Sequence, residues 1–420
     1  MKIKFRKVKN LQSLLMWVGL FCVVSYALLE HASISIPMIS SVKMPLLYVG
    51  GICIIPLLKI FLSNIKKKRY FYIFLLLFAL CAVLLISMKY NSNTVSGFSP
   101  ERNTIRLVLY LLELFVLMLV FAEKGESQAA IKLIYYYVLL LVVVTDILMF
   151  TGLFTFGTTK YPTYFVGTKF TVVYMHFNLL ALWVIQQCEK RGEKFVPKWV
   201  IWCVGIALVL VAIYVDCMSG VLGAVFMIIV VLRMGTAKKI ARILTSPAIF
   251  VLSVSACTLF AFVIGFVLNL PVVPDFVENV LGRSTTLTGR VNIYQGYVEA
   301  MRNHWVFGYG YGSGNLVSNQ FFGCDNAQNA VLHWILQCGI VVTTLMITVF
   351  ALIMKQVNTC KRKTQVSIEL LIGLVYTYIM LGIVEITYSM AFILMMALIF
   401  MSINDKKRND TASEGKRLES

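Results

Sequence analysis

Stretches of about 18 to 25 apolar residues recur along almost the whole chain, each long enough to cross a hydrocarbon core roughly 30 Å thick as a helix. They lie near residues 11–29, 44–63, 70–88, 104–121, 131–153, 170–188, 198–215, 217–232, 248–270, 329–354, 366–384 and 387–402. Lipid offers no hydrogen-bond partner to the backbone, so such runs must close their own hydrogen bonds as helices. Of 420 residues, 59% are hydrophobic and 14% charged, and the mean hydropathy is +0.83. A water-soluble chain of this length needs more polar surface. The expected fold class is all-α: a polytopic transmembrane helical bundle of about 12 spans, with one large extracytoplasmic loop containing short helices.

The net charge of +19 raises the question of nucleic acid, and its placement answers it. Basic residues cluster between apolar runs, as the positive-inside rule describes for cytoplasmic loops. With the N-terminus inside, 27 of the 38 Lys and Arg residues fall in inside segments and 9 outside. Lys59 and Lys132 lie near inner helix ends, where they can snorkel. The expectation is therefore a multi-pass protein of the plasma membrane with both termini cytoplasmic and no nucleic-acid partner. The division runs as spans one to nine in 1–270, a large outer loop in 271–328, spans ten to twelve in 329–402 and a cytoplasmic tail in 403–420. The basic N-terminus and the run at 11–29 read as an uncleaved first helix rather than a signal peptide, because the run is long and no small-residue cleavage site follows. Most of the ten cysteines sit inside apolar runs and read as packing residues.

Residues 271–328 form much the longest loop, and long loops on rigid scaffolds carry function. The loop holds Leu281-Gly-Arg283 and Gly289-Arg290, then a stretch from Val291 to His304 with Val291, Tyr294, Tyr297, Val298 and Met301 at helical spacing. Trp305-Val-Phe-Gly308-Tyr-Gly310-Tyr-Gly312-Ser-Gly314 follows, and Asp325-Asn-Ala-Gln328-Asn329 leads into the tenth run.

The order Gly289-Arg290, Asn303-His304-Trp305-Val306-Phe307-Gly308-Tyr309-Gly310 and Gln328-Asn329 before Gly339-Ile340 resembles the bacterial O-antigen polymerase and ligase family. The stretch Gly167 to Asn178, with Lys169 and His176, is similar to a segment opening a central span in Wzy-type polymerases of capsule and exopolysaccharide clusters. The motif resemblance covers about 90 residues, the rest topology. Ligases place a His before the Asn, where this chain has Gln328. The family's Ser-Arg-Gly is here Met218-Ser219-Gly220. Both departures favour a polymerase over a ligase; a flippase without chemistry is a third reading.

The resemblance implies a polysaccharide polymerase acting on polyprenyl-pyrophosphate-linked oligosaccharide, within membrane lipid, with a chain-length regulator protein as a possible partner. No cofactor is implied, since the donor's pyrophosphate bond supplies the energy, and no residue spacing suggests a metal site. Arg290 is the first candidate to hold the pyrophosphate, because a guanidinium binds phosphate oxygens in a bidentate way; its alternative is a solvated loop arginine. Arg283 and Arg302 are further candidates, or contacts to lipid headgroups. Lys169 and His176, seven residues apart, share one helix face, and ionisable groups inside spans usually face a cavity or a partner. Asp325 is the loop's candidate base or an N-cap of the next helix. Gln328 and Asn329 are candidate sugar or phosphate contacts, or caps. Glu113, Asp146 and Glu385 lie in or beside spans and can pair with a cation or line a cavity.

Overall fold

The computed structural model describes residues 11–30, 32, 36–153, 156–158, 161–190, 196–233, 242–268, 290–359 and 366–418. Every apolar run coincides with a helix. In chain order these are α1 (Leu11–Leu28), α2 (Pro37–Ile54), α3 (Leu58–Asn64), α4 (Lys68–Tyr90), α5 (Glu101–Lys124), α6 (Ser127–Phe150), α7 (Lys169–Lys190), α8 (Lys198–Tyr214), α9 (Met218–Arg233) and α10 (Pro247–Leu268). Two short loop helices follow, α11 (Arg290–Ala300) and α12 (Gly314–Phe322), then α13 (Ala330–Asn358), α14 (Val366–Leu381) and α15 (Met390–Leu418). The second run is divided because Pro56 has no N–H to donate, and a 3₁₀ turn over Ile55–Leu57 separates α2 from α3. The α15 helix continues through the basic segment placed above in a tail.

Among the described residues, six helical stretches are long and apolar enough to cross a membrane: Leu11–Leu28, Ser41–Asn64, Lys68–Tyr90, Glu101–Lys124, Ser127–Phe150 and Ala330–Asn358. Shorter apolar helices cover Lys198–Tyr214, Met218–Arg233, Pro247–Val263 and Ser367–Leu381. The outward faces are apolar too. Leu75, Phe78 and Ile86 of α4, Leu140 and Ile147 of α6, and Trp202, Ile206 and Leu210 of α8 are all exposed. Apolar surface on this scale fits lipid and not water, and it marks the chain as a membrane protein.

The α5 helix is deeply enclosed: Leu107 and the whole stretch Leu114–Ala122 are buried. It packs on α1, α2, α4 and α15, while α13 packs on α4, α10 and α15, and α14 joins α7, α9 and α15. Glu113 of α5 is buried against Gly50 and Gly51 of α2: a Cβ on either glycine would meet its carboxylate at 2.7 and 2.9 Å. Neither Glu113 oxygen has a hydrogen-bond partner among the described residues.

The bundle has two chemically different ends. At one, the last turns of α5 and α13 meet the start of α4 and the middle of α15; Glu123, Arg69, Gln356 and Arg408 lie there. This is the ionic end. At the other, the end of α4, the start of α5 and the start of α13 gather around residues 305–314, and the α14–α15 turn meets the start of α13. This is the turn end. A feature outside the all-α expectation is a three-stranded antiparallel sheet of β1 (Phe156–Thr158), β2 (Tyr161–Tyr164) and β3 (Gly167–Thr168), with Phe156 opposite Thr163 and Tyr164 opposite Gly167. Its aromatic and Thr residues favour strand, and Gly167, at φ +120°, supplies the bend before α7.

Candidate functional site

The glycine-aromatic turn is docked into a broken helix. Gly339 interrupts α13 with φ +76° and ψ 173°. A regular helix would pair the Ile340 N–H with the Leu336 carbonyl. Here the turn enters between them: Ile340 N–H donates to the Trp305 carbonyl at 2.8 Å, and Tyr309 N–H donates to the Leu336 carbonyl at 2.9 Å. Both members of the opened rung thus keep a partner, as a chain in lipid requires. The glycines make the approach possible. A Cβ on Gly339 would run into the Val306 carbonyl, and one on Gly308 would lie 2.6 Å from the Gln337 carbonyl oxygen. Gly310, at φ +95°, packs on Pro100, and Gly312 N–H donates to Gln337 Oε1 at 2.7 Å. Ser87 Oγ of α4 closes the seat with a 2.7 Å bond to the Phe307 carbonyl. Burial holds the Tyr309 and Tyr311 phenols above their ordinary range, so both keep their protons.

A polar group lies at the same end around the start of α7. Lys169 Nζ donates to the Asp216 carbonyl at 2.7 Å and pairs with its carboxylate at 3.2 Å. Asp216, at φ +52°, makes the tight turn from α8 to α9. Three residues on, Ser219 Oγ donates to Glu385 Oε1 at 3.3 Å and lies 3.7 Å from Cys217 Sγ. Two turns deeper along α7, His176 Nδ1 is 2.8 Å from the Val172 carbonyl and Nε2 is 3.3 Å from Asp146 Oδ2 of α6. Both ring nitrogens therefore face an oxygen. Tyr378 OH donates to the buried Asn178 Oδ1 at 2.8 Å, one turn further from Tyr174.

The loop reaches this group through the α14–α15 turn. Tyr294 OH of α11 donates to the Gln328 carbonyl at 2.9 Å and lies 3.4 Å from the Ile383 carbonyl. Asn329 Nδ2 donates to the same Ile383 carbonyl and to that of Cys257, each at 3.2 Å. Ile383 stands two residues before Glu385, so one short turn joins the loop helix, the cap of α13 and the Ser219 contact.

The expected site residues fall into three sets. Lys169 and His176 lie at the turn end on α7, each with an acid, Asp216 and Asp146. Gln328 and Asn329 are at the α11–α13 junction, where Gln328 has φ +50°. The Asn329 side chain is fully committed: Oδ1 accepts from Val331 N–H and Leu332 N–H at 3.1 Å, and both Nδ2 hydrogens are used. Its role is a helix cap and a strap to the neighbouring turns. Asp325 and Arg302 stand apart and exposed, Asp325 accepting from Asn319 at 3.2 Å and Arg302 paired with Glu299 at 3.4 Å. Arg290 opens α11 and is described through its backbone alone, one turn before Tyr294. Arg283 lies outside the described residues. Sequence reasoning singled out neither Asp216 nor Ser219 as site residues. The signal available was a charged residue and a serine at the junction of two apolar runs. No family model, no curated protein and no solved structure matches this chain.

Proposed function

We propose that the chain is a glycosyltransferase that polymerises polyprenyl-pyrophosphate-linked oligosaccharide repeat units at the outer face of the plasma membrane. In this reading the bundle has about twelve spans, both termini are cytoplasmic, and the turn end with residues 271–328 faces outward. The observation that carries it is the meeting, at one end of an apolar bundle, of a docked loop turn, a lysine, a buried carboxylate and the helix that Arg290 opens. The motif resemblance supplies the substrate class.

The reaction joins an acceptor hydroxyl oxygen to the anomeric carbon of the growing glycan. The anomeric C–O bond to phosphate breaks, its electron pair leaves with the polyprenyl pyrophosphate, and the hydroxyl proton passes to a base. Arg290 and Lys169 offset the charge on the leaving diphosphate, with Arg283 and Arg302 as further cations from the loop. Lys169 is held by Asp216 and not neutralised deep in protein, so it can re-pair with phosphate. Two carboxylates compete for the base role. Glu385 is 6% exposed and beside Ser219, whereas Asp325 is exposed in the loop; burial beside polar groups is what tunes a carboxylate toward base chemistry, and Glu385 is the one we assign. His176 holds Asp146 two turns below Lys169, and Gln328 lies at the loop junction, where a sugar hydroxyl can reach it.

The test is purified protein in lipid with a synthetic polyprenyl-pyrophosphate oligosaccharide. A ladder of products differing by one repeat unit is the expected result. Transfer of glycan only to a different acceptor identifies a ligase, and movement of intact lipid between leaflets without new bonds identifies a flippase; either overturns the polymerase.

A further inference from the structure

We propose that Lys43 and Arg106 form a second anion site at the turn end, taking the diphosphate of the lipid-linked acceptor. The proposal rests on the polymerase reading. A polymerase of lipid-linked units holds two diphosphates at once: one leaves during the reaction, and the other stays on the acceptor unchanged.

Lys43 lies near the start of α2 and Arg106 in the second turn of α5, both half-buried. Their surroundings are short of negative charge. Lys43 Nζ sits 4.9 Å from the centre of the Tyr26 ring and only 3.5 Å from a neutral acceptor, the Glu30 carbonyl. Arg106 has no hydrogen-bond or ion-pair partner among the described residues, and its Nε is fully buried. Among the described residues, the charged groups that act on Lys43 are Glu30 and Arg106. Glu30 is itself engaged by the backbone, its Oε2 accepting the Met390 N–H at 3.0 Å. A buried guanidinium N–H without an acceptor is costly, and a planar guanidinium beside an ammonium suits phosphate oxygens.

Two further observations give the class of ligand. Val42, beside Lys43, begins an exposed apolar stripe that runs on along α2 through Val49 and Ile52, so a hydrocarbon chain can lie along the helix while its head reaches the cations; this favours a lipid-linked diphosphate over a free one. The surround is aromatic: Tyr26 and Tyr110 rings are 5.6 Å apart, Tyr48 is exposed near them, and the Glu30 charge reaches Tyr311 of the docked turn. Tyr26 and Tyr110 are buried and wall the site, and the exposed Tyr48 suits the first sugar after the diphosphate. Among the described residues nothing here resembles the Ser219–Glu385 pair, because the Glu30 carboxylate holds a backbone N–H. The site is built to hold a diphosphate and not to release one, which is what an acceptor needs.

The experiment counts bound lipid. Wild-type protein in nanodiscs is titrated with polyprenyl diphosphate and read by native mass spectrometry, with inorganic pyrophosphate and phosphatidylglycerol as competitors. Two lipids per chain are expected for wild type, one for Lys43→Ala/Arg106→Ala, and one for Lys169→Ala. Competition by inorganic pyrophosphate at the Lys43 site, and none by phosphatidylglycerol, supports recognition of the diphosphate. Arg106→Gln alone, with a melting temperature matching wild type, is expected to weaken the second binding event about tenfold and to raise the KM for acceptor without changing that for donor. Two lipids bound to the double variant, or displacement by phosphatidylglycerol as effective as by pyrophosphate, overturns the site. A fall from two lipids to one in protein that forms no polymer supports the site and overturns the polymerase reading instead. Polymer formation with an unchanged acceptor KM in Arg106→Gln overturns the site and leaves that reading standing.

Discussion

The two ends of the bundle use the same residue types for opposite purposes. At the ionic end, Glu123 receives Lys67 at 2.8 Å, Tyr70 at 2.7 Å and Arg69. Arg408 donates to the Glu123 carbonyl at 2.9 Å and pairs with Asp405 at 3.3 Å, while Gln356 ties Asn404 at 3.1 Å to the Arg69 carbonyl. The charges there close on one another across α4, α5 and α15, and the Gln356 amide adds α13. At the turn end, Lys169 is paired with an Asp216 whose side chain is 76% exposed, and Arg106 has no acid of its own. Order at that end comes from backbone hydrogen bonds and glycine packing. A network that satisfies itself staples helices together; cations set in a frame built by other means stay open to a ligand.

The largest effect that would break this comparison is on the frame. Gly339→Ala puts a methyl group into the Val306 carbonyl at a positive φ, and a loss of about 3 kcal/mol is expected. Thermal unfolding in detergent, together with protease cutting within 305–314, measures it. A melting temperature equal to wild type would show that the turn is not seated in the helix. Next comes the proposed base: Glu385→Gln is expected to slow polymer formation about 100-fold with the melting temperature unchanged, and wild-type ladder formation would return the role to Asp325.

The staple ranks third. Glu123→Gln is expected to cost about 2 kcal/mol, less than a fully buried pair because Lys67 is partly exposed. Polymerisation per folded molecule should persist, and its selective loss would erase the distinction between the ends. Asp216→Asn removes an exposed pair and should change stability by about 0.5 kcal/mol or less, yet shift the salt dependence of polymerisation by freeing Lys169. Smallest of all, Asp325→Asn is expected to leave the rate within about twofold, since surface substitutions of this kind have little effect.

The helices were legible in the sequence because apolar length is a strong, local signal. The break at Pro56 is a local signal too, yet by apolar length the run at 44–63 reads as one span. The break at Gly339 has no local signal: a lone glycine in an apolar run reads as a packing residue, and the strand of chain that opens the helix lies some thirty residues upstream. The site was half legible. Lys169 and His176 drew notice as ionisable groups in an apolar context, but their partners, Asp216 and Asp146, come from other helices and no spacing announces them. Glu385 was noticed only as a carboxylate beside a span; its contact with Ser219 depends on the packing of α9 against α14, which pairs residues 166 positions apart. Asn329 shows the reverse case. Its place at a helix start was readable, and the structure spends the whole side chain on that place.

The opened rung between Leu336 and Ile340 also bears on how the chain enters the bilayer. A segment partitioning alone into lipid closes every rung it can, because an open one has nothing to bond. As it leaves the translocation machinery, α13 should therefore be continuous, with Gly339 in ordinary helical geometry. The interruption then belongs to the assembled protein, arising when the 305–309 backbone arrives to take over both bonding groups. Biogenesis of this bundle would include a late exchange of hydrogen-bond partners inside a helix already across the membrane, and the three-dimensional site could not exist before it.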